Sequence, residues 1–180
     1  MSNSQRFFVF IRAINVGSRR LTNEQLVEPF VRLGFEHVSA YQAAGNIAFR
    51  SPDHIARQTE RLGSALAEAY GFDPVIFVRT VDELRAVAGA RPFTSTELAE
   101  TAGKVQVSFL HGAPDESMIA KVDALVPADD RIGFADRHWF WLPENGVSDS
   151  QMPVSSVEDV IGPMTMRTLG TVERMLAKFE

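Results

Sequence analysis

Apolar and polar positions change rhythm several times along the 180 residues, and each rhythm predicts a kind of element. Phe7 to Arg12 (FFVFIR) is an apolar run without alternation, which marks a strand covered on both faces and therefore central in its sheet. Thr22-Asn23-Glu24-Gln25 has capping-box spacing and opens a helix whose stripe is Leu26, Phe30 and Leu33, with Gly34 as its stop. Pro29 inside that stretch predicts a kink or a late helix start. His37 to Ala43 and Asn46 to Arg50 read as two strands joined tightly through Ala44-Gly45, because glycine tolerates positive φ. Asp53 can cap a second helix carrying Ile55, Leu62, Leu66 and Ala69, closed by Gly71, and Val75 to Arg79 is a further strand. The order β-α-β-β-α-β in roughly 75 residues is the split arrangement of a ferredoxin-like domain.

A capped helix from Thr80 to Gly89 and an irregular stretch from Arg91 to Ala102 come next, after which the pattern partly restarts. Val105 to Leu110 reads as a strand, and Asp115 to Val126 as a helix with Met118, Ile119, Val122 and Leu125 inward. Arg131 to Ala135 and Trp139 to Leu142 form a hairpin turning at Asp136-Arg137, and Ser156 to Ile161 and Thr171 to Phe179 are the last helices. No final strand is legible, and no repeat shows at residue level. The fold class is therefore α+β: two ferredoxin-like (βαββαβ-type) subdomains with antiparallel sheets, the second less regular. Their expected extents are 1–80 and 104–180, the latter with the terminal helices, joined by a bridging helix and linker over 81–103.

Composition narrows the function more than the fold. An apolar share of 45% with 23% charged residues is that of an ordinary globular chain. The net charge of −5 gives no global attraction for polyphosphate or an anionic membrane. The absence of cysteine removes disulfides, thiolate nucleophiles and thiolate metal sites together. The N-terminal apolar run is cut by Arg12, too short for a signal-peptide core or a membrane span, so the expected location is cytoplasmic. His37, His54, His111 and His138 show no pair at ligand spacing, so neither a metal nor a cofactor is expected.

The phrases FIRAINVGSRRL and LGFEHVSAYQAAGNIAF, then FVRTVDELRAV, Pro92-Phe93, VSFLHGAP and TMRTLGTVERML, resemble in order the bacterial family called domain of unknown function 1697. The resemblance covers nearly the whole chain. It implies two ferredoxin-like subdomains and no established activity. The chain departs from the family pattern at Ala44, where members carry Ser, at Ser18 in place of a second Gly, and at Thr168-Leu169 in place of Asn-Trp.

In a ferredoxin-like sheet the first strand lies between the third and fourth, antiparallel to both. Arg12, Asn15, Gln42, Gly45 and Asn46 then share one rim, to which the following loop brings Gly17, Ser18, Arg19-Arg20 and a helix N-terminus. Unsatisfied N–H groups, a dipole end and arginine forks in one place make an anion site. The structural alternative is that Arg12 bonds a neighbouring turn, Asn15 and Asn46 hold turns, and Arg19-Arg20 is solvated. Arg167 and Thr171 before the last helix are a second set of candidate anion contacts, against which stands a plain helix cap with Arg167 paired to an acid.

Two function classes follow. One is a binding protein or enzyme for a small phosphate- or carboxylate-bearing ligand at the Arg12, Asn15 and Asn46 rim. The other is a non-catalytic protein forming a homo-oligomer through a sheet face or a Trp139/Trp141 stripe. Single-stranded nucleic acid is disfavoured by the acidic balance and by the lack of an RNP-type strand. No G-x-S-x-G elbow or other catalytic constellation is present; Ser148-Asp149-Ser150 and Glu158-Asp159 read as loop and helix-start residues.

Overall fold

The computed structural model describes residues 4–15, 17, 20–52 and 55–180, with the backbone alone over 55–57. Ser18, Arg19, Asp53 and His54 lie outside the described residues. Contacts divide the chain into two compact units, residues 1–85 with 175–180, and residues 86–174.

The first unit holds β1 (Gln5–Ile11), α1 (Asn23–Arg32), β2 (Glu36–Tyr41), β3 (Asn46–Ser51), α2 (Ile55–Tyr70) and β4 (Ile76–Thr80). Its sheet runs β2-β3-β1-β4, with β1 antiparallel to both neighbours. This is the ferredoxin-like order that the sequence pattern predicts. Phe7, Val9 and Ile11 join one core with Leu26, Phe30, Ile47, Phe49, Leu62, Leu66 and Val78. Phe8 and Phe10, which alternate with them, are buried as well. Both faces of β1 are therefore covered, which is why its sequence lacks a polar alternation. Each such burial stabilises the fold by roughly 1.5–3 kcal/mol.

The Thr22 hydroxyl accepts from the Gln25 N–H at 3.3 Å, and the Gln25 side chain accepts from the Thr22 N–H at 2.9 Å. With that box in place α1 begins at Asn23, so Pro29 does not delay the start and sits buried inside the helix. The hairpin strand expected to reach Ala43 ends at Tyr41, and a register shift between Glu36 and Ser39 makes a bulge at His37, whose φ is 49°.

The helix α3 (Val81–Gly89) runs from the first unit into the second, which continues with α4 (Ser95–Glu100), β5 (Gln106–Phe109), α5 (Glu116–Asp123), β6 (Arg131–Ala135), β7 (His138–Leu142), α6 (Val154–Ile161) and β8 (Thr165–Thr168). The last helix is α7 (Leu169–Phe179). The second sheet runs β6-β7-β5-β8 and repeats the first topology in full. Three expectations change here. The 91–102 stretch contains α4, capped by Thr94 and Glu97 in a capping box of its own. The missing final strand is β8, a four-residue segment too short and too polar for a pattern, held by antiparallel pairing to β5. Met118, expected inward on α5, is 37% exposed, and Val122 is that helix's buried residue.

Candidate functional site

Register brings the predicted rim together. Asn46 lies opposite Phe10 in the β1–β3 pair, the Ile11 N–H donates to Gly45 O at 2.7 Å, and the Arg12 N–H donates to Val75 O at 2.9 Å. Arg12, Gly45 and Asn46 therefore sit at one end of the sheet, where the β1–α1 loop meets the β2–β3 turn. Asn15 fastens the two loops: its amide donates to Ala43 O at 2.7 Å and its Oδ1 accepts from the Leu21 N–H at 2.9 Å. Asn23, in the first turn of α1, adds a third tie by accepting from the Ala43 N–H at 3.0 Å. Asn23 is the residue that sequence reasoning missed. Its position beside the Thr22 cap was visible, but its partner lies twenty residues away along the chain.

Asn46 is 1% exposed and its amide donates to Tyr41 O at 3.3 Å, which suits it to holding the turn. Gly45 is shaped by its surroundings: its φ is +70°, and a Cβ there would stand 2.7 Å from Ile11 O. Arg12 is half-buried, while Gly17, Arg20 and Gln42 are exposed. The Arg20 guanidinium donates to Gly17 O at 2.9 Å, which holds that charge against the loop.

The helix N-terminus at this rim is already occupied. Glu24 in the first turn of α1 has its carboxyl held below the ordinary range, first by its own backbone N–H and then by the Thr22 hydroxyl. The positive end of α1 therefore faces a carboxylate of the same chain.

Arg167 and Thr171 belong to the second unit. Arg167 Nη1 donates to the Thr165 hydroxyl at 2.9 Å and to Met166 O at 2.7 Å, and burial of its charged end pushes its pKa down to about 10. The Thr168 hydroxyl accepts from the Thr171 N–H at 3.2 Å and lies 2.9 Å from the Thr171 hydroxyl, the geometry of a helix cap.

Trp139 and Trp141 do not form a surface stripe. They are 0% and 1% exposed, stack at 6.0 Å with 3° between rings, and belong to the core beneath α5 and α6. The Trp141 indole donates to the Asp130 carboxylate at 2.9 Å, and that carboxylate also accepts from Ser150 Oγ and, at 3.1 Å, from the Glu144 N–H. Ser150 thus works as a loop anchor. Among the described residues no three His, Asp or Glu side chains gather as a metal-holding group, and no helix is long and apolar enough to cross a membrane.

Comparison with solved structures finds similarity to a conserved bacterial protein, SP0830 from Streptococcus pneumoniae, at a TM-score of 0.75 and 22% identity, covering 98% of this chain and 99% of that one. At that identity the likeness establishes the shared fold. No curated protein matches the sequence. The family described as protein of unknown function (DUF1697) matches residues 5–140, more than half of the chain, and includes the rim and both its loops. With its opening motifs, its rim and its paired ferredoxin-like sheets in place, the chain belongs to the DUF1697 family of proteins of unknown function.

Proposed function

We propose that this protein binds a small phosphate- or carboxylate-bearing ligand at the rim formed by the β1–α1 loop and the β2–β3 turn. The observation that supports the reading best is the backbone there. Ala13, Gln42 and Ala43 have φ of 53°, 61° and 41°, and Gly17 and Gly45 are also left-handed. Left-handed non-glycine residues cost of order 1–3 kcal/mol each and collect where a surface is shaped in advance for a ligand. The ties from Asn15 and Asn23 meet the cost of ordering both loops before a ligand arrives. In this reading Arg12 and Arg20 supply charge-assisted hydrogen bonds, and Asn15, Gly45 and Asn46 position the turns.

The test is titration of the full chain with inorganic phosphate, followed by two-dimensional NMR of the backbone amides. Binding should perturb residues 12–17 and 42–46, and Arg12→Ala should weaken it by roughly 10- to 150-fold, the range for a hydrogen bond to a charged group. Phosphate that leaves those amides unmoved, or that binds Arg12→Ala as tightly as wild type, overturns the reading.

A further inference from the structure

The opposite end of the same sheet holds a second concentration of positive charge. Along β1 the side chains alternate, so Phe7, Val9 and Ile11 enter the helical core while Arg6, Phe8 and Phe10 take the other face. In the β1–β3 register Arg6 stands directly opposite Arg50, and in the β2–β3 register Glu36 stands opposite Arg50. Two guanidinium groups are thus cross-strand partners, an arrangement that repels and destabilises a sheet unless something negative lies between them.

The protein supplies little that is negative. Arg6 Nη1 donates to His37 O at 3.2 Å, and Arg50 Nη1 donates to Ser4 O at 3.2 Å. Both acceptors are neutral carbonyls. Among the described residues neither arginine forms an ion pair with a carboxylate, and Glu36 accepts instead from the Ser4 hydroxyl at 3.3 Å. Arg6 Nε is closed off from solvent and has no acceptor among the described residues. A charged donor left so is costly unless a partner completes it. Arg6 also lines, on the β4 side of β1, a cleft of about 260 Å³ with Gln5, Thr80, Val81 and Asp82, a lining that does not include Arg50. The acid in that lining, Asp82, is engaged by Arg85 at 2.7 Å.

The geometry points to the Arg6–Arg50 pair as a second anion site, which takes a phosphate-type dianion between its two guanidinium groups. A tetrahedral dianion matches the pair in charge and offers several acceptor oxygens to two forked donors. The Arg6 pKa is held below its ordinary value, first by burial and then by the Arg50 charge, a pressure that an anion would relieve. The site is separate from the rim of Arg12. Six residues of β1 at ~3.3 Å each place the two roughly 20 Å apart.

The test uses pyrophosphate and the full chain, with Arg12→Ala as the background so that the rim contributes far less. Isothermal titration of Arg12→Ala should still show binding, and adding Arg50→Gln should weaken it about 10-fold or more. Glu36→Gln, which removes the neighbouring negative charge and leaves both arginines, should tighten it severalfold. This second variant keeps the test decisive if Arg50→Gln lowers stability. Pyrophosphate that fails to bind Arg12→Ala, or an affinity that neither Arg50→Gln nor Glu36→Gln alters, overturns the proposal.

Discussion

Gly45 shows how one residue can join fold to site. Its φ of +70° disfavours a side chain, and a Cβ there would stand 2.7 Å from Ile11 O in the backbone of the central strand. Gly45→Ala should therefore cost of order 2–3 kcal/mol, read as a lower denaturation midpoint at unchanged m-value. Asn15 and Arg12 should behave differently from each other. Asn15→Ala frees the Leu21 N–H and Ala43 O to water at an exposed position and should cost about 1 kcal/mol in stability. Arg12→Ala should change stability by less than about 1 kcal/mol and act on phosphate affinity instead; denaturation curves of the two variants check the contrast. The amino acids of the rim were legible in the sequence as residue types. Which of them frame the turns was not, because Asn15 finds Ala43 only after the sheet has closed.

Among the elements, the titratable Tyr70 of α2 makes a tie to α1. The Tyr70 hydroxyl donates to Leu26 O at 3.0 Å, and its pKa is raised above its ordinary value, first by burial and then by the Glu28 carboxylate. A raised pKa on an acid means that folding favours the neutral phenol. The contribution is fully present below the unfolded value near 10 and is lost as pH rises above it. Tyr70→Phe should cost about 1 kcal/mol at neutral pH and make stability fall less steeply between roughly pH 9 and 11, as measured by urea midpoints across that range. In the second unit Asp130 gathers the Trp141 indole, Ser150 and the Glu144 N–H, and joins the start of β6 to the loop after β7. Asp130→Ala leaves the buried indole N–H unpaired and should cost roughly 3 kcal/mol, checked by the loss of midpoint in chemical denaturation. Caps and periodicity made α1 and the hairpins visible beforehand. The capping box at Thr94 is equally local, but α4 has no buried residue and so no apolar stripe to follow the cap. β8 carries no local signal at all, and its strand character comes from pairing with β5.

At the scale of the molecule, the first unit is discontinuous: it takes residues 1–85 together with 175–180. Met175 and Leu176, in that final segment, are 0% and 7% exposed, and Arg85 is ion-paired with Glu180. Truncation after Arg174 should therefore destabilise the protein by 2–5 kcal/mol or more, the range for losing a buried Met or Leu side chain, and thermal unfolding of the shortened chain checks it. The two units also share a detail that the linear reading missed. Val78-Arg79-Thr80 ends β4 and Met166-Arg167-Thr168 ends β8, each arginine donates to the carbonyl just before it, and each threonine bonds the N–H three residues on. Three residues cannot stand out as a repeat until two sheets are superposed on one topology.

By itself the sequence determined what depends on neighbours along the chain: the unbroken apolar run of β1, the cap of α1, the tight β2–β3 turn, and from their order the ferredoxin-like plan. These follow from local sterics, capping and hydrophobic period, which act over a few residues. Only the tertiary structure decided that the two tryptophans are core, that β8 exists, and that Arg6 faces Arg50. Each of these rests on register or on packing between segments far apart in sequence, and a one-residue slip would have sent the same side chains to the other face.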